Sequence, residues 1–214
     1  MNRRQSLKNF GLGAGILIIG SSTLSLLQSC KRDSKNIWEP TFLSISNGNA
    51  LKEILDVILP KTDTPGANDL NIAQFIDSYM DQVVSIEEQE IFKSSAEAFA
   101  EAFKRDFDKE LDKGKKEDFE KIVSKYLRAS PKEQELFDKR ETETQDPMDS
   151  VPEIKISPDS SAFLYLKNVR KMGIWAWKTS EQIGENVLWY DPIPGKYIPC
   201  APVDELGNGK AMSL

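Results

Sequence analysis

Apolar residues recur along most of the chain at spacings of three and four, the period of a helix with one buried face. Leu51, Ile54, Leu55 and Ile58 form the first stripe, with Asn47 or Asn49 placed to cap it and Pro60 to stop it. After a loop over 61–69, a second stripe of Ile72, Phe75, Ile76, Tyr79 and Met80 runs to about Val84. Ser85 with Glu88 three residues on is a capping-box signature. It opens a third helix whose buried face is Phe92, Phe99, Phe103 and Phe107, with Gly114 as its stop. Phe119, Ile122, Val123 and Tyr126 place a fourth helix over 115–127, and Ser130-Pro131-Lys132-Glu133 starts a short fifth one to about Lys139. Ser157-Pro158 begins the last long helix, with Phe163, Leu166, Val169, Met172 and Trp175 on one face and Gly173 as a candidate kink.

Two stretches lack this period. Residues 141–157 are polar, contain Pro147 and Pro152, and read as a long loop. Residues 184–214 form a tail in which Pro192, Pro194, Pro199 and Pro202 favour extended backbone, because proline fixes φ and donates no hydrogen bond. The pattern therefore predicts an all-α fold: a single irregular bundle of about five to six helices over 47–214, with an extended proline- and aromatic-rich C-terminal tail.

The N-terminus has a different pattern. Arg3 and Arg4 precede an uncharged run from Phe10 to Ser29, the layout of an export signal over 1–29. A membrane-spanning helix is the alternative, but Gly11, Gly13, Gly15 and Gly20 interrupt the run and four hydroxyl residues dilute it. Arg3, Arg4, Leu7 and Lys8 resemble the twin-arginine motif, against the alternative of an ordinary secretory n-region. Leu27-Gln28-Ser29-Cys30 resembles a lipobox, which makes Cys30 the lipidated first residue of the mature chain and 30–46 its tether. The expected location is the periplasmic side of a bacterial membrane, lipid-anchored.

Composition narrows the chemistry. The chain has 28 basic and 34 acidic residues, a net charge of −6, which disfavours nucleic acid as partner. Without the three basic residues of the signal, the mature charge is about −9. Cys30 and Cys200 are the only cysteines, so lipidation of Cys30 leaves Cys200 unpaired within the chain. Histidine is absent altogether. That removes the usual general base and the commonest metal ligand. No dinucleotide or P-loop glycine pattern occurs, so no catalytic, cofactor-binding or metal-binding residue is assigned.

Two segments carry a family resemblance: Ile58-Leu59-Pro60-Lys61-Thr62-Asp63-Thr64-Pro65-Gly66-Ala67 and Trp189-Tyr190-Asp191-Pro192-Ile193-Pro194-Gly195-Lys196-Tyr197. They resemble the gluconate 2-dehydrogenase subunit 3 family over essentially the whole mature chain. The resemblance implies a non-catalytic small subunit of a membrane-bound sugar, sugar-acid or alcohol dehydrogenase. It places FAD in a partner subunit of the glucose-methanol-choline type and haem c in a third, cytochrome c subunit. The small subunit would assist folding of the flavoprotein and lend it an export signal. A free-standing periplasmic ligand-binding lipoprotein is the rival reading.

Aromatic density near the C-terminus makes Trp177, Trp189, Tyr190, Pro192, Pro194 and Tyr197 the candidate partner interface, since Trp and Tyr are enriched at interface hot spots. Trp175 reads as core. Asp63, Pro65 and Gly66 read as a structural loop, with Asp63 able to form an Asx-type turn.

Overall fold

The computed structural model describes residues 38–138, 141–142, 154–155, 157–193, 195–196, 198 and 200–213. The chain divides into two units, Met1–Trp38 and Glu39–Leu214. Only the second is described beyond a single residue. The expectations for Arg3, Arg4, Leu7, Lys8, Leu27, Gln28, Ser29 and Cys30 therefore concern residues outside the described ones.

The second unit is all-α. Its helices are α1 (Ile45–Ile58), α2 (Ile72–Gln82), α3 (Ile86–Phe107), α4 (Lys116–Leu127), α5 (Pro131–Asp138), α6 (Pro158–Thr179), α7 (Glu181–Asn186) and α8 (Val203–Gly207). One pair of two-residue strands, β1 (Glu141–Thr142) and β2 (Ile154–Lys155), runs antiparallel with Thr142 opposite Ile154. It pins together the two ends of the long loop expected over 141–157. The α6 helix is the hub: it packs most extensively on α3 and also against α1, α2, α4, α5 and α7. At their junction Leu55, Phe103, Tyr126, Leu166, Val169 and Ile183 are sealed from water. Aromatic rings fill the α3–α6 seam, with Tyr165 5.2 Å from Phe92 and 5.4 Å from Phe99, centroid to centroid.

Helix starts follow their side-chain caps. The Ser85 hydroxyl accepts from the Glu88 N–H at 3.4 Å and donates to the Glu88 carboxylate at 2.9 Å. Ser157 caps α6 through the Ser160 N–H at 3.1 Å, with Pro158 in the first turn. Ser130 and Glu133 embrace in the same way at the start of α5.

Three local features differ from the pattern-based reading. The first helix is capped by Ser44, not by Asn47 or Asn49, and the Ser44 hydroxyl accepts from the Asn47 N–H at 3.2 Å. The cause lies upstream. Asp77 of α2, 1% exposed, accepts hydrogen bonds from the backbone N–H groups of Thr41, Phe42 and Leu43 at 2.7, 3.3 and 3.0 Å and from the Thr41 hydroxyl at 3.1 Å. Phe42 and Leu43 are thereby held in the core, so the folded unit begins before residue 47. Second, α3 ends at Phe107 and not at Gly114, because Asp108 turns left-handed at φ 52° and donates its N–H to the Lys104 carbonyl. Gly114 instead closes a one-turn 3-10 helix, Leu111–Lys113. Third, α6 is continuous through Gly173. A Cβ there would lie 2.6 Å from Leu55 Cδ2, so this glycine admits α1 close to α6 and does not mark a kink.

The tail is also less extended than its prolines predict. It contains α7 and α8, and Trp189 pairs in parallel with Met212 by donating to the Ala211 carbonyl and accepting from the Ser213 N–H, both at 2.8 Å.

Candidate docking groove

The Pro60–Asp69 loop is built as a brace. Pro60 follows the C-cap of α1, Leu59, so the helix cannot continue. Ala67 donates back to the Leu59 carbonyl at 2.9 Å, and Thr62 donates to the Thr64 carbonyl at 3.1 Å. A Cβ on Gly66 would come within 2.5 Å of the Lys61 nitrogen and 2.9 Å of the Leu59 oxygen, so only glycine fits. The loop's carboxylate clamp is Asp69, which accepts from the Gly66 N–H and the Lys61 ammonium, each at 2.9 Å. The Lys61 contact and then the Gly66 N–H hold its carboxyl below the ordinary carboxylate range. Asp63 is exposed and makes no hydrogen bond among the described residues. The carboxylate that ties this loop is therefore Asp69, six residues on, and it reaches back to the Gly66 N–H without forming an Asx turn.

Trp177 completes that brace. Its indole N–H donates to the Pro65 carbonyl at 2.8 Å across 112 positions of sequence, tying α6 to the loop. In the tail, Trp189 is half-buried and its ring lies where a side chain on Gly207 would stand, 3.0 Å from an ideal Cβ, so it forms the small core of the α8 region. Tyr190 is half-exposed, Pro192 and Cys200 are exposed, and Pro194 and Tyr197 lie outside the described residues. Of the six aromatic and proline positions expected to face a partner, the two tryptophans thus have structural work within the domain.

A different aromatic group faces outward. Phe75 and Tyr79 on α2 meet Trp175 on α6, with ring centroids 5.5 and 5.4 Å from the tryptophan. Trp175 was expected in the core; it is 40% exposed because it sits at the edge of the α2–α6 contact, where one side of the ring has no helix over it. Beside this cluster an open groove of about 650 Å³ runs between the C-terminal end of α2, the start of α3 and α6. Met80 and Phe92 are buried beneath it, Val83 and Ile91 rim it, and Glu88, Asn168 and Lys171 supply its polar groups. Sequence periodicity could have signalled the cluster. Ile72, Ile76 and Met80 already complete a buried stripe on α2, and Phe75 and Tyr79 widen the apolar arc beyond what one core contact covers.

A second cleft of about 650 Å³ between α1, α4 and α6 is polar instead. Asp56 there is paired with Lys116 at 2.6 Å and accepts from Asn68 at 3.0 Å. At the start of α6, on the surface, Arg105 forks onto both oxygens of Asp159 at 2.8 and 3.2 Å while the Tyr126 hydroxyl donates to the same carboxylate. This network joins α3, α4 and α6. Arg105 foremost holds the Asp159 carboxyl below its ordinary range, and burial together with that carboxylate pushes the Tyr126 phenol up. Each of these groups is matched by a partner within the fold, which is the pattern of a structural network. Among the described residues, no three His, Cys, Asp or Glu side chains converge as metal ligands, and no helix is long and apolar enough to cross a membrane.

These features describe an all-helical domain with an open groove flanked by aromatic side chains. The chain belongs to the gluconate 2-dehydrogenase subunit 3 family, whose model matches residues 46–195. The match runs from the first turn of α1 to Gly195 and so includes the Pro60–Asp69 brace, Trp177 and the groove. It stops before Cys200 and α8 and leaves residues 196–214 unmatched. Comparison with curated proteins and with solved structures finds no significant match.

Proposed function

We propose that this chain is the non-catalytic small subunit of a membrane-associated, FAD-dependent dehydrogenase that oxidises gluconate, related sugars or alcohols. The observation that carries the reading is the family match over 46–195, because the family is one of dehydrogenase subunits. A subunit needs a surface for its partner, and the groove beside Phe75, Tyr79 and Trp175 supplies one. The flavin resides in the partner, of the glucose-methanol-choline type, and a cytochrome c subunit takes the electrons onward.

The small subunit's contribution is folding, export and attachment. A flavin loaded before export crosses only with its protein already folded, and a twin-arginine signal at Arg3 and Arg4 serves that route for both chains. Acylation at Cys30 then holds the complex at the periplasmic face.

Co-expression of the tagged full chain with a flavin-dependent dehydrogenase of the glucose-methanol-choline type from the same genome tests the assignment. The purified pair is expected to show flavin absorbance at one FAD per small subunit, with no turnover by the small subunit alone. Recovery of the tagged chain without any flavoprotein would reject the reading. Changing Arg3 and Arg4 together to lysine is expected to strand the flavoprotein in the cytoplasm, and Cys30→Ala to release the complex from the membrane fraction.

A further inference from the structure

We infer that the groove between α2, α3 and α6 is where the chain receives its catalytic partner, and that its occupant is an apolar segment of that partner carrying a carboxylate for Lys171. The inference rests on the reading of the chain as a dehydrogenase subunit and assigns that role to one surface. Exposure points to this surface first. Val83 and Ile91 are 65% and 49% exposed on its rim, and with Trp175 they form apolar area that no other element of the described fold covers.

The groove is also ready-made. Trp175 is wedged against Tyr79 and Phe75, whose rings lie 6.0 Å apart, and the helices beneath are locked by Asp77 and the α3–α6 aromatic seam. A preformed site loses little conformational entropy on binding. The indole N–H of Trp175 has no acceptor among the described residues, whereas that of Trp177 does.

Charge indicates the kind of occupant. Two groups charged at neutral pH line the groove, Glu88 and Lys171. Glu88 is already engaged by the Ser85 hydroxyl at 2.9 Å, but Lys171 is exposed and makes no ion pair among the described residues. The complement of an apolar trough with one unpaired cation on its wall is an apolar segment bearing an acid. A second copy of the chain is the poorer occupant, because two chains of net charge −6 repel on approach.

The test uses the co-expressed complex. Val83→Asp with Ile91→Asp places carboxylates on the apolar rim at exposed positions, and Lys171→Glu inverts the cation. The double variant is expected to lower recovered flavoprotein by about tenfold or more, and Lys171→Glu to lower it by a smaller factor that shrinks as salt is raised. Circular dichroism and thermal melting of each variant alone establish that the fold is intact. A photo-crosslinking residue at Ile91 of the otherwise unaltered chain is expected to capture the flavoprotein, while one at Lys121 on α4 does not. Full flavoprotein recovery by the variants, or crosslinking at Lys121 and not at Ile91, would overturn the groove assignment and leave the subunit reading standing. A wild-type dimer broken by the rim variants would make the groove a self-contact and overturn it as well. Failure of the wild-type chain to hold any flavoprotein would remove both.

Discussion

Trp175 and Trp177 stand two residues apart on α6 and serve two different regions. Trp177 faces the Pro60–Asp69 brace and gives its indole N–H to the Pro65 carbonyl. Trp175 faces the groove, where it meets Phe75 and Tyr79 but leaves a large part of its ring exposed. Each region receives a tryptophan from the same helix and puts it to a different use. Aromatic density alone therefore does not locate an interface; what separates the regions is whether the polar end of the indole is satisfied within the fold.

The contrast depends on α2 holding its place, because one side of that helix carries Asp77 and the other carries Phe75 and Tyr79. Asp77→Ala is expected to have the largest effect of any single change considered, about 3 kcal/mol of stability by urea denaturation, since it orphans buried backbone donors of Thr41, Phe42 and Leu43. Asp77→Asn should fall between wild type and alanine, because one amide oxygen cannot accept all four hydrogen bonds. If alanine costs no more than an exposed substitution, residues 41–43 are not anchored by this carboxylate and the groove lacks the rigid base ascribed to it.

Breaking the brace should cost less and act locally. Trp177→Phe keeps an aromatic ring but removes the pyrrole half of the indole and its hydrogen bond to Pro65, with an expected loss of about 1–2 kcal/mol. Hydrogen exchange at Gly66 and Ala67 should quicken while flavoprotein recovery stays at the wild-type level. A fall in recovery with an unchanged loop would transfer Trp177 to the interface.

Acid acts on a third region, the network at the start of α6. The Asp159 carboxyl is held below its ordinary range chiefly by Arg105, so its contribution is complete above the unfolded carboxylate value of about 3.9 and is lost as pH falls through the folded value. Glu133, lowered first by the Ser130 hydroxyl, adds in the same direction. The melting temperature should hold steady from neutral pH to about 5 and drop below that, and Asp159→Asn should flatten the drop. An unchanged acid limb in that variant would take Asp159 out of the account.

Most of the bundle was legible because its helices are amphipathic and carry their own start signals. Ser85 with Glu88, Ser130 with Glu133, and Ser157 with Pro158 cap helices where local sequence alone places them. Legibility failed where a distant residue decides. Ser44 becomes a cap because Asp77, more than thirty residues away, fixes the chain just before it. Gly173 looked like a kink because nothing local reveals that Leu55 presses against it. The tail's prolines forecast extended chain, but the Trp189 pairing with Met212 folds it back, a contact with no periodic signature. The groove was missed for a related reason: an apolar stripe wider than its core contact reads as more core, and only the placement of α6 shows which edge remains uncovered.

The stability effect is expected to be smallest relative to the loss of association where the interface reading is most direct. Trp175→Ala removes ring contacts to Phe75 and Tyr79, but 40% of the residue is already exposed, so the isolated chain should lose about 2 kcal/mol, less than a fully buried tryptophan would cost. The same change deletes the groove's widest apolar wall and its unpartnered indole donor, so flavoprotein recovery should fall far more than the melting temperature does. Residues that serve the fold lose stability and association together, as Asp77→Ala should. A residue that serves the partner separates the two measurements. Trp175→Ala is therefore the variant in which a large stability loss, with association reduced only in proportion, would return the tryptophan to the core and leave the groove without its defining member.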